Sequence, residues 1–389
     1  MTVSPIRVLV ALLAVALAPP PAGLACTHAE LEAEGAAAVP GHLSLTLDLT
    51  PAAEILALFK HHGASPGELT RLMARPEVHD LIAQTARFDP RAVPEAFAST
   101  LQLAAAGRLT AGMPDPFAFN RVRQHAPDIA RLQELLEARG AELQRDIATR
   151  LQPDLPPGIE LEVHAALVLG GTSDGWAQPG NRLYLALQSF EGDYEGLVTL
   201  MAHEVYHVVQ YSVMPSTGSG AADARERNAE NLMIATLMEG TASFVGDPTS
   251  AAGGGAYLDW YRARYRTNLG RIHEDFALFD ALMFRAAHDL DADYRTLYGL
   301  GFSGAWGSPL DFVGYRMAQV IARYDGRGRL AAYLTQPPGS FFADYIAACD
   351  LHPAEPLCVR FDAQTTRTLL QVRDRSLTAG GNRARLFLL

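Results

Sequence analysis

Residues 203 to 207 read HEVYH, a spacing that can do metal chemistry. On a helix, two histidines four positions apart lie on one face, close enough to bind a single ion. The Glu after the first is placed to take a proton from a water that such an ion activates. The chain has 12 histidines, so a five-residue match needs support from its surroundings. At about 100° per residue, Leu197, Val198, Met201, Val205, Val208 and Val209 gather into one apolar stripe. His203 and His207 fall on the opposite side with Thr199 and Gln210, whereas structural core histidines belong within the stripe. Tyr206, between the two histidines, points elsewhere and reads as a packing residue.

A catalytic zinc site needs a third protein ligand and keeps its fourth position for water. Glu239, in LMEGTASFV, meets that need. On its own wheel, Met233, Ile234, Leu237, Phe244 and Val245 form the buried stripe, and Glu239 falls opposite, among Ala235, Ala242 and Ser243. Such small neighbours let one helix approach another closely. The rival, Glu230, projects toward the apolar stripe near the helix start, where a carboxylate is favourable in any case.

HEVYH followed by EGTASF resembles the gluzincin group of metallopeptidases, in which a second helix carries a glutamate ligand. Within that group it is similar to a set of bacterial zinc-dependent peptidases. The run Glu239-Gly240-x-Ala242-x-Phe244 resembles the Glu-Gly-x-Ala-x-aromatic pattern of the aminopeptidase branch. The resemblance is specific over Thr199 to Val245, looser over Gly301 to Tyr324, and does not reach the N-terminal helices. It implies one Zn²⁺ per chain on His203, His207 and Glu239, with Glu204 as general base. Two departures stand out. His207 and Glu239 are separated by 31 intervening residues, so Gln210 to Arg227 is expected to form an inserted loop. The Gly-x-Met-Glu-Asn run that recognises a substrate amino terminus is absent, so aminopeptidase specificity does not carry over.

The resemblance also implies a downstream Tyr or His that stabilises the oxyanion. Ser308-Pro309-Leu310-Asp311 is a good helix start, with a capping residue, Pro at the first position and an acid at the third. The helix it opens buries Val313, Met317, Val320, Ile321 and Tyr324 and sends Tyr315 to the other side, toward a cleft or toward water. Tyr315 is the candidate; Tyr298 and His288 are weaker ones. The matching position is alternatively Asp311 or Phe312, which leaves the role unfilled.

The elements that must position these residues follow from periodicity. His42 to Leu49 alternates as a strand, and Pro51 to Leu151 is helical, broken at Ser65-Pro66-Gly67, Asp89-Pro90 and Met113 to Pro116. Ile129 to Leu151 is the clearest helix. Ile159 to Leu169 and Arg182 to Leu187 are strands, joined by the glycine-rich turn GGTSDGWAQPGN. Arg182 to Leu187 precedes the metal helix closely, as does the edge strand along which zinc peptidases lay an extended substrate. Helices follow from Tyr194, and Ser216 to Gly220 and Gly253 to Gly255 read as loops. Strands followed by a run of helices indicate an α+β, mostly helical fold.

Bulk properties narrow the setting. The net charge of -11 argues against nucleic acid or an anionic membrane as partner. Arg7, the apolar run Val8 to Ala18, Pro19 to Pro21 and Gly23-Leu24-Ala25 make residues 1–25 a cleaved export signal. No later stretch is a transmembrane segment. Export leads to an oxidising compartment, periplasmic or secreted, where Cys349 and Cys358 form a local disulfide. Cys26 is left as an unpaired thiol. A lipid anchor there is the alternative, although the preceding Gly-Leu-Ala fits that signal poorly.

The expected architecture has residues 26–152 as an N-terminal strand and helical lobe and residues 153–389 as a zincin-like catalytic domain ending in helices. The expected activity is hydrolysis of a peptide or protein substrate. Two alternatives remain open: a zinc amidase acting on non-protein amide bonds, and a non-catalytic exported protein whose metal only stabilises it. An intact Glu204 weighs against the second.

Overall fold

Strand β1 (His42–Asp48) alternates exposed and buried residues, as HLSLTLDL predicts. The computed structural model describes residues 41–214 and 223–386, so the expected export signal, Cys26 and the expected loop at Ser216 to Gly220 lie outside the described residues. Helices α1 (Thr50–Lys60), α2 (Pro66–Met73), α3 (Pro76–Ala86), α4 (Pro94–Ala105), α5 (Phe119–Gln124) and α6 (Ala126–Leu151) follow. Then come β2 (Glu160–Val168), β3 (Gly175–Gln178) and β4 (Arg182–Ala186). The remainder is helical: α7 (Tyr194–Val213), α8 (Ala224–Val245), α9 (Ala256–Gly270), α10 (Ile272–His288), α11 (Tyr294–Phe302), α12 (Pro309–Tyr324), α13 (Arg329–Ala332), α14 (Gly339–Leu351) and α15 (Ala363–Leu386). The fold is α+β and mostly helical, as the order of strands and helices predicts.

The sheet runs β1-β2-β4-β3, with β1, β2 and β4 parallel and β3 antiparallel to β4. This corrects the reading of Arg182 to Leu187 as the substrate-bearing edge. Hydrogen bonds to β2 and β3 occupy both sides of β4, so no further strand can add there. The open edge beside the metal helix is β3, inside what reads as a glycine-rich turn. The turn itself is only Pro179 to Asn181, where Gly180 (φ 92°) and Asn181 (φ 62°) take the left-handed backbone that reverses the chain. The division at Pro153 runs through this sheet: β1 pairs with β2 from His42 opposite Glu160 to Asp48 opposite Ala166. One apolar core extends from Leu43 to Val372.

Three devices fix the helices that matter for the site. Asp193 caps two helices at once, accepting from the Gly196 N–H of α7 at 2.9 Å and the Leu258 N–H of α9 at 2.8 Å. Arg150, at the end of α6, donates to the Val245 and Asp247 carbonyls (3.1 and 2.9 Å), a cation at the C-terminus of α8. Bare glycines set the close approaches. A Cβ on Gly246 would lie 2.7 Å from His203 Cβ, and one on Gly314 of α12 would lie 2.0 Å from the Thr236 carbonyl oxygen of α8. The close approach of α8 is thus made to α12, through Gly240 and Gly314, rather than through Ala242 and Ser243.

Helix α7 runs on to Val213 and α8 begins at Ala224, so the expected loop from Gln210 to Arg227 is shorter at both ends. Ser308 does not cap α12 as its sequence predicts. It adopts φ 51°, and its hydroxyl donates to the Phe302 carbonyl at 3.2 Å. Cys349 and Cys358 are joined as a disulfide. Among the described residues, no helix is long and apolar enough to cross a membrane.

Because the Gly314 contact is backbone against backbone, no rotamer can relieve it. Gly314→Ala should cost about 1–3 kcal/mol in a urea unfolding titration, the usual penalty for overpacking. An unchanged midpoint would mean that α8 and α12 do not pack through these glycines.

Candidate metal centre

Helices α7 and α8 bring His203, His207 and Glu239 together. One donor atom from each lies within 4.8 Å of the others. The two Nε2 atoms are 3.0 Å apart, and a Glu239 carboxylate oxygen lies 3.7 Å from His203 and 3.4 Å from His207. His203 and His207 sit on the side of α7 opposite the apolar stripe, but that side does not face open solvent: His203, Glu204 and His207 are each less than a tenth exposed. Glu230 is not part of the cluster.

Gln210 sets the chemistry of His207. Its Nε2 donates to the Met238 carbonyl and to Thr241 Oγ1, both at 2.9 Å, so its Oε1 must face the His207 ring. His207 Nδ1 lies 2.7 Å from that oxygen and therefore carries the hydrogen. In the neutral ring Nε2 is then the bare lone pair aimed at the cluster, the tautomer a metal ligand requires once an ion displaces the second proton. The same amide pins α7 to α8 at the residue before Glu239. The Nδ1 of His203 is buried without a partner.

These donors fit zinc. Bonds of about 2.0–2.2 Å in a tetrahedral site place ligand atoms roughly 3.3–3.5 Å apart, close to the observed separations. Two imidazoles and one carboxylate, with room for a fourth ligand, are also the donor set of known hydrolytic zinc sites. Electrostatics agree. Burial opposes charge on His207, but the Glu239 carboxylate outweighs it and pushes the imidazole up to about 9. Burial likewise opposes charge on Glu239, and the His207 imidazolium holds it well below the usual carboxylate range. A cation is what this geometry stabilises.

Glu204 lies beside the cluster. Burial raises it to about 7, the Glu239 and Asp174 carboxylates add to that, and His207 and the Ala177 backbone oppose it. Gly175 allows the contact, since a Cβ there would come within 3.1 Å of Glu204 Cγ and Oε1. Strand β3 is therefore laid directly against the carboxylate.

Tyr315 is not brought to the three donors. It is almost wholly buried, facing neither cleft nor water. Its hydroxyl donates to Asp247 Oδ2 at 2.8 Å, accepts from Gln319 at 2.9 Å, and so ties α12 to the chain just after α8. Helix α12 is enclosed on nearly every side, which the assumption of one solvent-facing flank misjudges. His288 pairs with Gln364 at 3.0 Å, away from the cluster. Tyr298 is closer: burial, then the Glu239 and Asp311 carboxylates, raise its hydroxyl. Asp311 also bears on the cluster and takes an ion pair from Arg264 of α9 at 3.0 Å. Tyr206 is fully buried.

Set against known proteins, the chain matches a family model described as "Putative zinc dependent peptidase (DUF5700)" over residues 69–354. The match begins within α2 and so takes in helices that the motif resemblance does not reach. No curated protein and no solved structure matches.

If Gln210 holds His207 in its ligating tautomer, Gln210→Leu should weaken zinc binding about 10–100-fold in a competition titration against a chelating dye. Wild-type affinity in that variant would remove Gln210 from the centre.

Proposed function

The chain belongs to that family of zinc-dependent peptidases, and from this premise we propose that it hydrolyses peptide bonds at one zinc ion held by His203, His207 and Glu239. The observation that carries the proposal is Glu204. A purely structural metal site has no use for a buried carboxyl group held near neutrality beside its ligands. The ion, when bound, polarises the substrate carbonyl and acidifies water.

The chain's own groups do the rest. Glu204 takes the proton of the attacking water as the new C–O bond forms, and passes it to the leaving nitrogen as the C–N bond breaks. Strand β3 receives the substrate. Ala186 N–H donates to the Asp174 carbonyl, so Asp174, Trp176 and Gln178 are the residues bonded to β4. Gly175 and Ala177 therefore turn their backbone groups outward. Glu204 engages the Ala177 N–H, which leaves the Ala177 carbonyl and both groups of Gly175 for an extended peptide added as a further strand. Cleavage then falls next to the base.

Export completes the reading. It rests on the leader at residues 1–25 and is supported by the Cys349–Cys358 disulfide, which needs an oxidising compartment to form.

A peptide-library digest read by mass spectrometry, with zinc content measured in parallel, tests this. Glu204→Gln should keep its zinc and lose about 10²–10⁴-fold in turnover, whereas His203→Ala should lose both. Full activity in Glu204→Gln would remove Glu204 as the base.

A further inference from the structure

A peptide added to β3 has to pass Asp174. That residue precedes Gly175, which lies against the base: a Cβ on Gly175 would come within 3.1 Å of Glu204 Oε1. The Asp174 carbonyl is engaged by the Ala186 N–H at 2.9 Å. Its carboxylate is barely engaged. Tyr257, in the first turn of α9, donates its hydroxyl to Oδ2 at 3.3 Å, and among the described residues no cation pairs with the group. Arg264, about two turns further along α9, is taken by Asp311 at 3.0 Å. Asp174 is only half-buried, and its Oδ1 has no partner yet is not sealed from solvent.

Aromatic rings frame this carboxylate. Tyr257 is held firmly: its ring lies 4.6 Å from Phe190 and against the first turn of α7, where a Cβ on Gly196 would come 2.9 Å from its Cδ1. Asp193 fastens the start of α9 there by accepting from the Leu258 N–H at 2.8 Å. One turn on, Trp260 stands 5.4 Å from the Tyr257 ring and stacks on Tyr261 at 6.1 Å, with 51% of its surface in water. An unpaired carboxylate next to a held phenol and an exposed indole suits an ammonium or guanidinium group. The oxygen takes charge-assisted hydrogen bonds, and the ring faces take the cation and its apolar stem. The net charge of -11 draws cationic peptides toward the protein as a whole.

We propose that Asp174 is a specificity-determining residue that binds the basic side chain of a Lys or Arg in the substrate, with Trp260 covering its stem. The proposal rests on the peptidase reading above and adds the substrate class. The substrate residue opposite Gly175 takes both of its backbone bonds. At about 3.3 Å per residue, the next one, on the side away from Ala177, comes level with Asp174. Residues opposite each other in paired strands send their side chains to the same face, so this one leaves the strand alongside the Asp174 carboxylate. The basic residue therefore falls about two positions from the cleaved bond. A free α-amino group is the poorer occupant, because it carries no stem to lie on the indole.

The test uses the zinc-loaded protein. A peptide-library digest should show Lys or Arg enriched at one position beside the cleaved bond. A fluorogenic peptide is then made with Lys, Nε-acetyl-lysine or norleucine at that position. Wild type should lose about tenfold or more in kcat/KM on the acetylated and norleucine peptides, chiefly through KM. Asp174→Asn should cleave all three alike at unchanged zinc content and thermal midpoint, because its amide oxygen still accepts from Tyr257 and only the charge is gone. Asp174→Lys should favour Glu at the same position. If neither variant folds, the wild-type comparison decides by itself. Equal wild-type rates on the Lys and acetylated peptides, a preference that survives in folded Asp174→Asn, or a loss produced by N-terminal acetylation alone would overturn the proposal and leave the peptidase reading intact. A wild-type protein that cleaves no member of the library would overturn both.

Discussion

Two imidazole nitrogens 3.0 Å apart, with a carboxylate oxygen 3.4 and 3.7 Å away, make an arrangement that holds together only around positive charge. A shared proton or a metal ion can supply it. Much of the surrounding protein serves to keep these atoms in place. Gln210 locks one imidazole and at the same time joins α7 to α8. Gly246 lets the end of α8 close on His203, and the Gly240–Gly314 contact holds α8 against α12 from another direction. Arg150, Tyr265 and Tyr315 fasten the last turn of α8 and the residues just after it. Such cross-ties suit a centre whose ligands come from different helices and must not drift.

Around this centre the small sheet and the helices divide the remaining work. The sheet offers one open edge near the base, β3, because β4 is paired on both sides. The helices supply charge: Arg264 from α9 and Asp311 from α12 form a partly buried ion pair. A buried ion pair is weak evidence of stabilisation in itself, since desolvation offsets most of its attraction.

Local features of the centre were legible in the sequence and long-range ones were not. HEVYH and Glu239 could be read because helical periodicity alone puts each on the non-apolar side of its helix. The edge strand could not, because Gly175 to Gln178 is four residues long and bounded by glycine and Pro-Gly, which read as a turn. Arg264 sits in the run YRARYR, whose alternating cations and rings hide which residue faces inward, and its partner Asp311 is 47 positions away. Tyr315 misled for a different reason. A wheel assumes one face toward water, and α12 has almost none. The parallel pairing of β1 with β2, which carries the N-terminal strand into the same sheet as the site, left no local trace at all.

The central claim is that His203, His207 and Glu239 hold one zinc ion. Elemental analysis of the purified mature protein tests it most directly, with wild type beside Glu239→Ala and Glu230→Ala. The account predicts about one zinc per chain in wild type and in Glu230→Ala, and loss of zinc in Glu239→Ala. A metal-replete wild type without zinc, or zinc that survives in Glu239→Ala and disappears in Glu230→Ala, would contradict it.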